Sequence, residues 1–251
     1  MMDLKLQKKV ALVTGSSSGI GFGIAKKLSD EGCYVILNGR HENTLKTDAK
    51  KLGNKIKFLK ADVTKSKQCD VLIKKIIKMY GRLDILVCNV GTGKSKPPGK
   101  ENLDDWKSMF EINFLSSVNI IKYAEEYLSK SNGVIVCISS IAGINRIDAP
   151  LPYSIAKSAL NMYVRTASKY LASLQIRINA IAPGNIMFKD SIWDKKLQKN
   201  PKQVKNFLNQ EVPLKRFGTP DEIGNLTAFL SSPLASFITG ETIIIDGGQV
   251  R

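Results

Sequence analysis

The stretch Val10-Ala11-Leu12-Val13-Thr14-Gly15-Ser16-Ser17-Ser18-Gly19-Ile20-Gly21 decides how this chain folds. Val10–Thr14 is an apolar run of strand length, and a helical pattern over 19–31 follows it without a linker. Glycines at a strand-to-helix turn let the backbone come close to a pyrophosphate. The helix N-terminus behind them offers unpaired N–H groups and a partial positive charge. Gly15, Ser17, Ser18, Gly19, Ile20 and Gly21 are therefore expected to hold a phosphate-bearing ligand. The spacing departs from Gly-x-Gly-x-x-Gly, and the lysine of a nucleotide-hydrolase P-loop is missing, so ATP hydrolysis is disfavoured.

Outward from this turn, apolar runs alternate with helical patterns to the end of the chain. Strands are predicted over 10–14, 34–38, 56–61, 85–88, 134–139, 176–182 and 242–246. Helices are predicted over 19–31, 42–52, 65–80, 104–128, 153–173 and 220–230. Such alternation means βα units: an α/β fold whose doubly wound parallel sheet carries helices on both faces. No linker or repeat interrupts it, so residues 1–251 read as one domain. The polar, lysine-rich segment 189–210, with Trp193, Val204 and Phe207 among its few apolar residues, is expected to form one or two short helices as a substrate lid.

Composition narrows the function. An apolar fraction of 43% and a charged fraction of 24% are those of a globular protein without membrane spans. No apolar run reaches the ~18 residues a membrane helix needs. The first residues show no signal-peptide core and lead straight into the first strand, so a cytoplasmic location is expected. Cys33, Cys69, Cys88 and Cys137 are far apart and read as reduced, mostly buried thiols. With His41 the only histidine, neither a metal site nor a histidine-based triad is expected. The net charge of +16 is spread over helix faces rather than gathered into an aromatic-interleaved block. That distribution reads as a lysine-rich surface, without a nucleic-acid partner.

Two further stretches carry chemistry. At the end of the second strand, where a dinucleotide fold selecting NAD places a carboxylate for the ribose 2′-hydroxyl, the chain has Asn38-Gly39-Arg40-His41. Arg40 can pair with a 2′-phosphate through its planar fork, so NADP(H) is preferred over NAD(H). In Tyr153-Ser154-Ile155-Ala156-Lys157, the tyrosine and lysine stand one helical turn apart. An ammonium there is expected to pull the phenol below its ordinary value and fit it for proton transfer to or from an oxygen.

Thr14–Gly21, Asn89-Val90-Gly91, Asn113, Ser140, Tyr153, Lys157 and Pro183-Gly184, in this order, resemble the short-chain dehydrogenase/reductase family across essentially the whole chain. The resemblance implies a Rossmann-type fold, a nicotinamide cofactor, hydride exchange with a carbonyl/alcohol pair, and a homotetramer in many members. It implies a catalytic tetrad of Asn113, Ser140, Tyr153 and Lys157. Tyr153 would be the general acid or base, and Lys157 would depress its pKa and bind the nicotinamide ribose. Ser140, rather than Ser139, would hold the substrate oxygen, and Asn113 would hold a water linking Lys157 to solvent. It also places Asp62 and Val63 at the adenine, Asn89, Val90 and Gly91 at the adenosine ribose, and Pro183, Gly184 and Ile186 around the nicotinamide. Two residues depart from the pattern: Val90 replaces a small alanine, and Phe188 replaces a threonine that bonds the carboxamide or pyrophosphate.

For the substrate, the similarity extends to members that reduce 3-oxoacyl groups on an acyl carrier protein. Of the carrier-gripping arginines of such members, only Lys130 stands in for one and nothing for the other. Arg146, Asp148, Lys94 and Lys96 are more polar than a fatty-acyl site requires, which keeps open a sugar, sugar acid or nucleotide-linked sugar as the substrate. A non-catalytic NADP-binding regulator is the remaining alternative; all four catalytic positions are filled, which argues against it.

Overall fold

Strand β1 (Val10–Val13) is buried along its whole length, and so are β4 (Ile85–Cys88) and β5 (Val134–Ile138). Strands this apolar are stable only when both sheet faces are covered. The computed structural model, which describes residues 3–53 and 56–250, shows that arrangement. Seven parallel strands form one sheet in the order β3-β2-β1-β4-β5-β6-β7, with β2 at Tyr34–Gly39, β3 at Ile56–Lys60, β6 at Arg177–Pro183 and β7 at Thr242–Ile245. Of the domain read as 1–251, residues 1, 2, 54, 55 and 251 lie outside the described residues.

Helices cover both faces. On one side α3 (Ser66–Tyr80), α5 (Ser116–Ser129) and α6 (Leu151–Ser173) pack Ile73, Ile120, Leu160 and Val164 onto Leu12, Leu86 and Ile135. On the other, α1 (Gly19–Asp30), α2 (Glu42–Leu52) and α9 (Pro220–Ser231) pack Ile24, Leu45 and Ile223 onto Val13, Val87 and Val136. The capping box of Thr219 and Glu222, with Pro220 in the first turn, fixes where α9 starts. All four cysteines are buried free thiols, and burial pushes Cys33 and Cys69 up to about 12. No helix among the described residues is long and apolar enough to cross a membrane.

The helix predicted over 104–128 is not continuous. It runs as α4 (Leu103–Phe110), a π-helical turn at Glu111–Leu115, and then α5. The cause is tertiary. Asn113 turns inward and holds the Thr92 backbone at both ends, accepting from its N–H (2.9 Å) and donating to its carbonyl (3.1 Å). A wider turn delivers the side chain there, and such turns gather at functional sites. The polar segment beyond β6 forms two helices, α7 (Ile192–Lys199) and α8 (Pro201–Glu211), split at Asn200, whose side chain caps α8.

Strand order reverses between β1 and β4, whose neighbours lie on opposite sides of them. A crevice opens at the carboxyl ends of strands at such a switch point, which is where ligands bind in open α/β sheets.

Candidate active site

The turn after β1 is fastened to the strands on either side. Asn89 donates through Nδ2 to the carbonyls of Thr14 (3.0 Å) and Gly15 (2.9 Å), and its own N–H reaches the Thr14 hydroxyl (3.0 Å). The Ser16 hydroxyl donates to the Val13 carbonyl (2.8 Å) and accepts the N–H of Asn38 (3.0 Å). Ser18 is the N-cap of α1, yet its side chain makes no capping hydrogen bond. The first-turn N–H groups are therefore left for a ligand, as in other anion-binding helix starts.

A cleft of about 640 Å³ opens over this turn. Its wall brings together Gly15, Ser17, Ser18, Gly19, Ile20 and Gly21 with Asn38 and Arg40 at one end. Asp62, Val63, Asn89, Val90 and Gly91 flank it, and Tyr153 and Lys157 face it. Its size suits a dinucleotide. Arg40 is exposed there and makes no ion pair or hydrogen bond among the described residues. The buried Oδ1 of Asn38 has no partner among them, although its Nδ2 donates to the carbonyls of Leu59 and Ala61. A free guanidinium, an unanswered acceptor and an open helix start fit a phosphorylated nucleotide. Among the described residues no group of three or more His, Cys, Asp or Glu is placed to hold a metal ion.

Tyr153 and Lys157 lie in the first two turns of α6, whose start is set by Pro150 and Pro152. Lys157 is only 3% exposed, and its Nζ donates to the Ile138 carbonyl at 2.7 Å. Gly91 passes so close that a Cβ there would stand 2.9 Å from Asn113 Oδ1 and 3.2 Å from Lys157 Nζ. Burial lowers the Lys157 ammonium to about 8, opposed only weakly by the nearby Cys137 and Cys88 thiols. Burial also raises the Tyr153 phenol above its ordinary value, with a hydrogen bond from Ser140 pulling the other way. This corrects the expectation that Lys157 depresses Tyr153. Spacing promised an ammonium–phenol pair, but burial sets the direction at both groups, and Lys157 is not among the groups that shift the phenol.

Both serines sit beside this pair. Ser139 lines the cleft and donates to the Lys157 carbonyl at 3.4 Å. Ser140 is 9% exposed and accepts the N–H of Ala142 at 3.1 Å, opening a 3-10 turn. The equal chemistry of adjacent serines leaves no sequence signal for the role of Ser139. The Ile138 carbonyl, a backbone group, has none at all.

Other predicted residues stand apart from the cleft wall. Asn113 is fully buried behind Gly91 and acts through the Gly91-Thr92 backbone. Pro183 is buried at the end of β6, and Gly184 packs on Asp246. Ile186 lines a separate cavity of about 80 Å³ with Arg216 and Glu222. Arg146, Asp148 and Lys96 line a neighbouring groove of about 900 Å³ without Tyr153, whereas Lys94 lines the cleft itself.

Comparison with known proteins agrees with this geometry. A family model described as enoyl-(acyl carrier protein) reductase matches residues 15–249. The chain is 35% identical to the 3-oxoacyl-[acyl-carrier-protein] reductase FabG of Chlamydia muridarum, covering 99% of this chain and 100% of that one. It is 34% identical to glucose 1-dehydrogenase 2 of Bacillus subtilis, covering 97% of this chain and 95% of the relative. Among solved structures, the L-sorbose reductase of Gluconobacter frateurii, complexed with NADPH and L-sorbose, superposes with a TM-score of 0.92 at 29% identity, covering 100% and 99% of the two chains. The chain belongs to the short-chain dehydrogenase/reductase family and is an oxidoreductase of the carbonyl/alcohol class.

Proposed function

We infer that the protein is an NADP(H)-dependent reductase of a small carbonyl substrate, with Tyr153 as its proton donor. The observation that carries this reading is one cleft holding the phosphate turn, the free Arg40 guanidinium and the buried Tyr153–Lys157 pair. A bound nicotinamide supplies the hydride. The chain supplies the rest. Arg40 takes the 2′-phosphate, and the first turn of α1 takes the pyrophosphate. Lys157 donates to the nicotinamide ribose from its seat on Ile138. Ser139 and Ser140 hold the substrate oxygen. The raised phenol of Tyr153 keeps its proton at neutral pH, so it is ready to protonate a developing alkoxide; that favours reduction.

Two substrate classes have support. The relatives include acyl-carrier reductases, and the large groove beside the cleft gives room for an extended thioester. The polar residues there, and the likeness to a sugar reductase and a glucose dehydrogenase, favour a sugar or sugar acid. The exposed Leu151, Ile155, Met162 and Tyr170 along α6 support assembly with further copies of the chain.

The test is a panel of 3-oxoacyl thioesters and ketoses with NADPH. At least one is reduced, and Tyr153→Phe lowers turnover by roughly a hundredfold or more while leaving dinucleotide binding intact. Turnover equal to wild type would remove Tyr153 from the mechanism. Equal affinities of the wild type for NADPH and NADH would remove the 2′-phosphate role of Arg40.

A further inference from the structure

The ring of Phe188 lies directly on the phosphate turn. A Cβ built at Gly19 would stand 2.7, 2.8 and 3.1 Å from three of its ring carbons. Gly19 already needs to be glycine for its φ of +55°; the ring is a second reason, since any side chain would collide with it. One side of the ring packs on the core beneath α1, and Phe188 also lines the cleft. The ring therefore stands where an anion approaches the open first turn of α1.

Phe188 also lies in the connection from β6 to α7. Just before it, the chain is pinned: Met187 donates to the Gly218 carbonyl (2.9 Å) and Gly218 to that of Asn185 (3.0 Å). Just after it, Ser191 donates back to the Phe188 carbonyl (3.1 Å), and Asp190 takes a φ of +65°. Helix α7 starts at once, with Ser191 as its N-cap. Phe188 thus joins the lid on one side to the phosphate turn on the other, and a phenyl ring has no hydrogen-bond donor with which to hold a phosphate.

We propose that Phe188 is a positioning residue that latches the lid to Gly19, so that its ring leaves the turn each time a dinucleotide enters or departs and repacks once it has passed. It sets the rates of cofactor exchange more than the affinity, because the packing that the ring gives up at entry is restored in the closed state. This rests on the dinucleotide reading above.

The experiment compares wild type, Phe188→Ala and Phe188→Leu in two measurements. The first is amide hydrogen exchange of the protein alone. Phe188→Ala raises exchange over 15–21 as well as over 188–192, while Phe188→Leu, which keeps apolar bulk, stays near wild type. The second is stopped-flow binding of NADPH. Phe188→Ala speeds association and dissociation each by about tenfold, with Kd changed by less than about threefold. The latch is overturned if exchange over 15–21 does not change. It is equally overturned if association stays at the wild-type rate while Kd rises with dissociation, the behaviour of a plain contact. If the wild type binds neither NADPH nor NADH, the dinucleotide reading fails, and the exchange measurement by itself decides whether Phe188 pins the turn.

Discussion

The turn after β1 and the segment after β6 face each other across one cleft, but they are held in different ways. The turn is tied by Asn89, Thr14 and Ser16 to strands on both sides, within a few residues of a fully buried sheet. The segment after β6 leaves the sheet altogether. Helix α7 buries no residue, and α8 buries only Val204. What anchors it is Trp193, stacked on Phe207 at 4.6 Å, tilted against Phe217 at 5.1 Å, and donating through Nε1 to Asn185 at 2.9 Å. Asn185 in turn donates to Gln249 near the C-terminus. One wall of the cleft is thus part of the global fold. The segment after β6 reaches the cleft through Phe188, and the helices beyond it hang on a small aromatic cluster, the kind of element that opens without unfolding the rest.

That contrast can be broken from the rigid side first. Gly91→Ala forces a methyl against Asn113 Oδ1 and Lys157 Nζ, where neither neighbour has room to retreat. It is expected to cost about 1–3 kcal/mol of stability and to lower turnover at least about tenfold. Denaturant titration and steady-state kinetics check both, and unchanged values would show that the rigid wall yields.

Lys157→Met sharpens the same point through pH. The Lys157 ammonium titrates at about 8 in the fold and near 10.5 when unfolded. Below pH 8 both states carry the proton, and the fold bears the full penalty of the buried charge, about 3 kcal/mol. As pH rises above 8 the folded form releases its proton first and the penalty shrinks, vanishing past the unfolded value. Lys157→Met removes that penalty but leaves the Ile138 carbonyl without its donor, so the readout is the trend: its stability relative to wild type falls by about 1 kcal/mol between pH 7 and pH 9. A rise over that range would reverse the assigned sign.

The smallest effect is expected on the segment after β6. Trp193→Ala removes the packing on Phe207 and on Phe217, worth about 0.5–1.5 kcal/mol each, yet it holds a tethered unit rather than the sheet. Global stability should fall by less than about 1 kcal/mol, while hydrogen exchange across 192–211 rises clearly. A full core-sized loss would make this segment part of the same cooperative unit as the turn.

Much of the fold is legible in the chain. The apolar runs place all seven strands within a residue or so at each end; in the central strands this is because strands buried on both faces admit few polar residues. The glycine turn and the Tyr153–Lys157 spacing lead to the cleft from local pattern alone. The π-turn at Glu111–Leu115 is not legible: its residues read as ordinary helix, and only the bonds from Asn113 to Thr92, across the fold, call for the wider turn. The resemblance points to Ser140, but that Ser139 also lines the cleft is hidden for a similar reason. Which of two neighbours faces a cleft depends on where the strand ends.

The sequence by itself determined the sheet, the helix that presents its N-terminus to a phosphate, and a tyrosine and lysine on one helical face. Each of these follows from residues near one another in the chain. Tertiary structure decided the sign of the pKa shifts, the seat of Lys157 on the Ile138 carbonyl, and the approach of Phe188 to Gly19. Those depend on how much water is excluded and on which distant backbone comes close, quantities that exist only once the chain has packed.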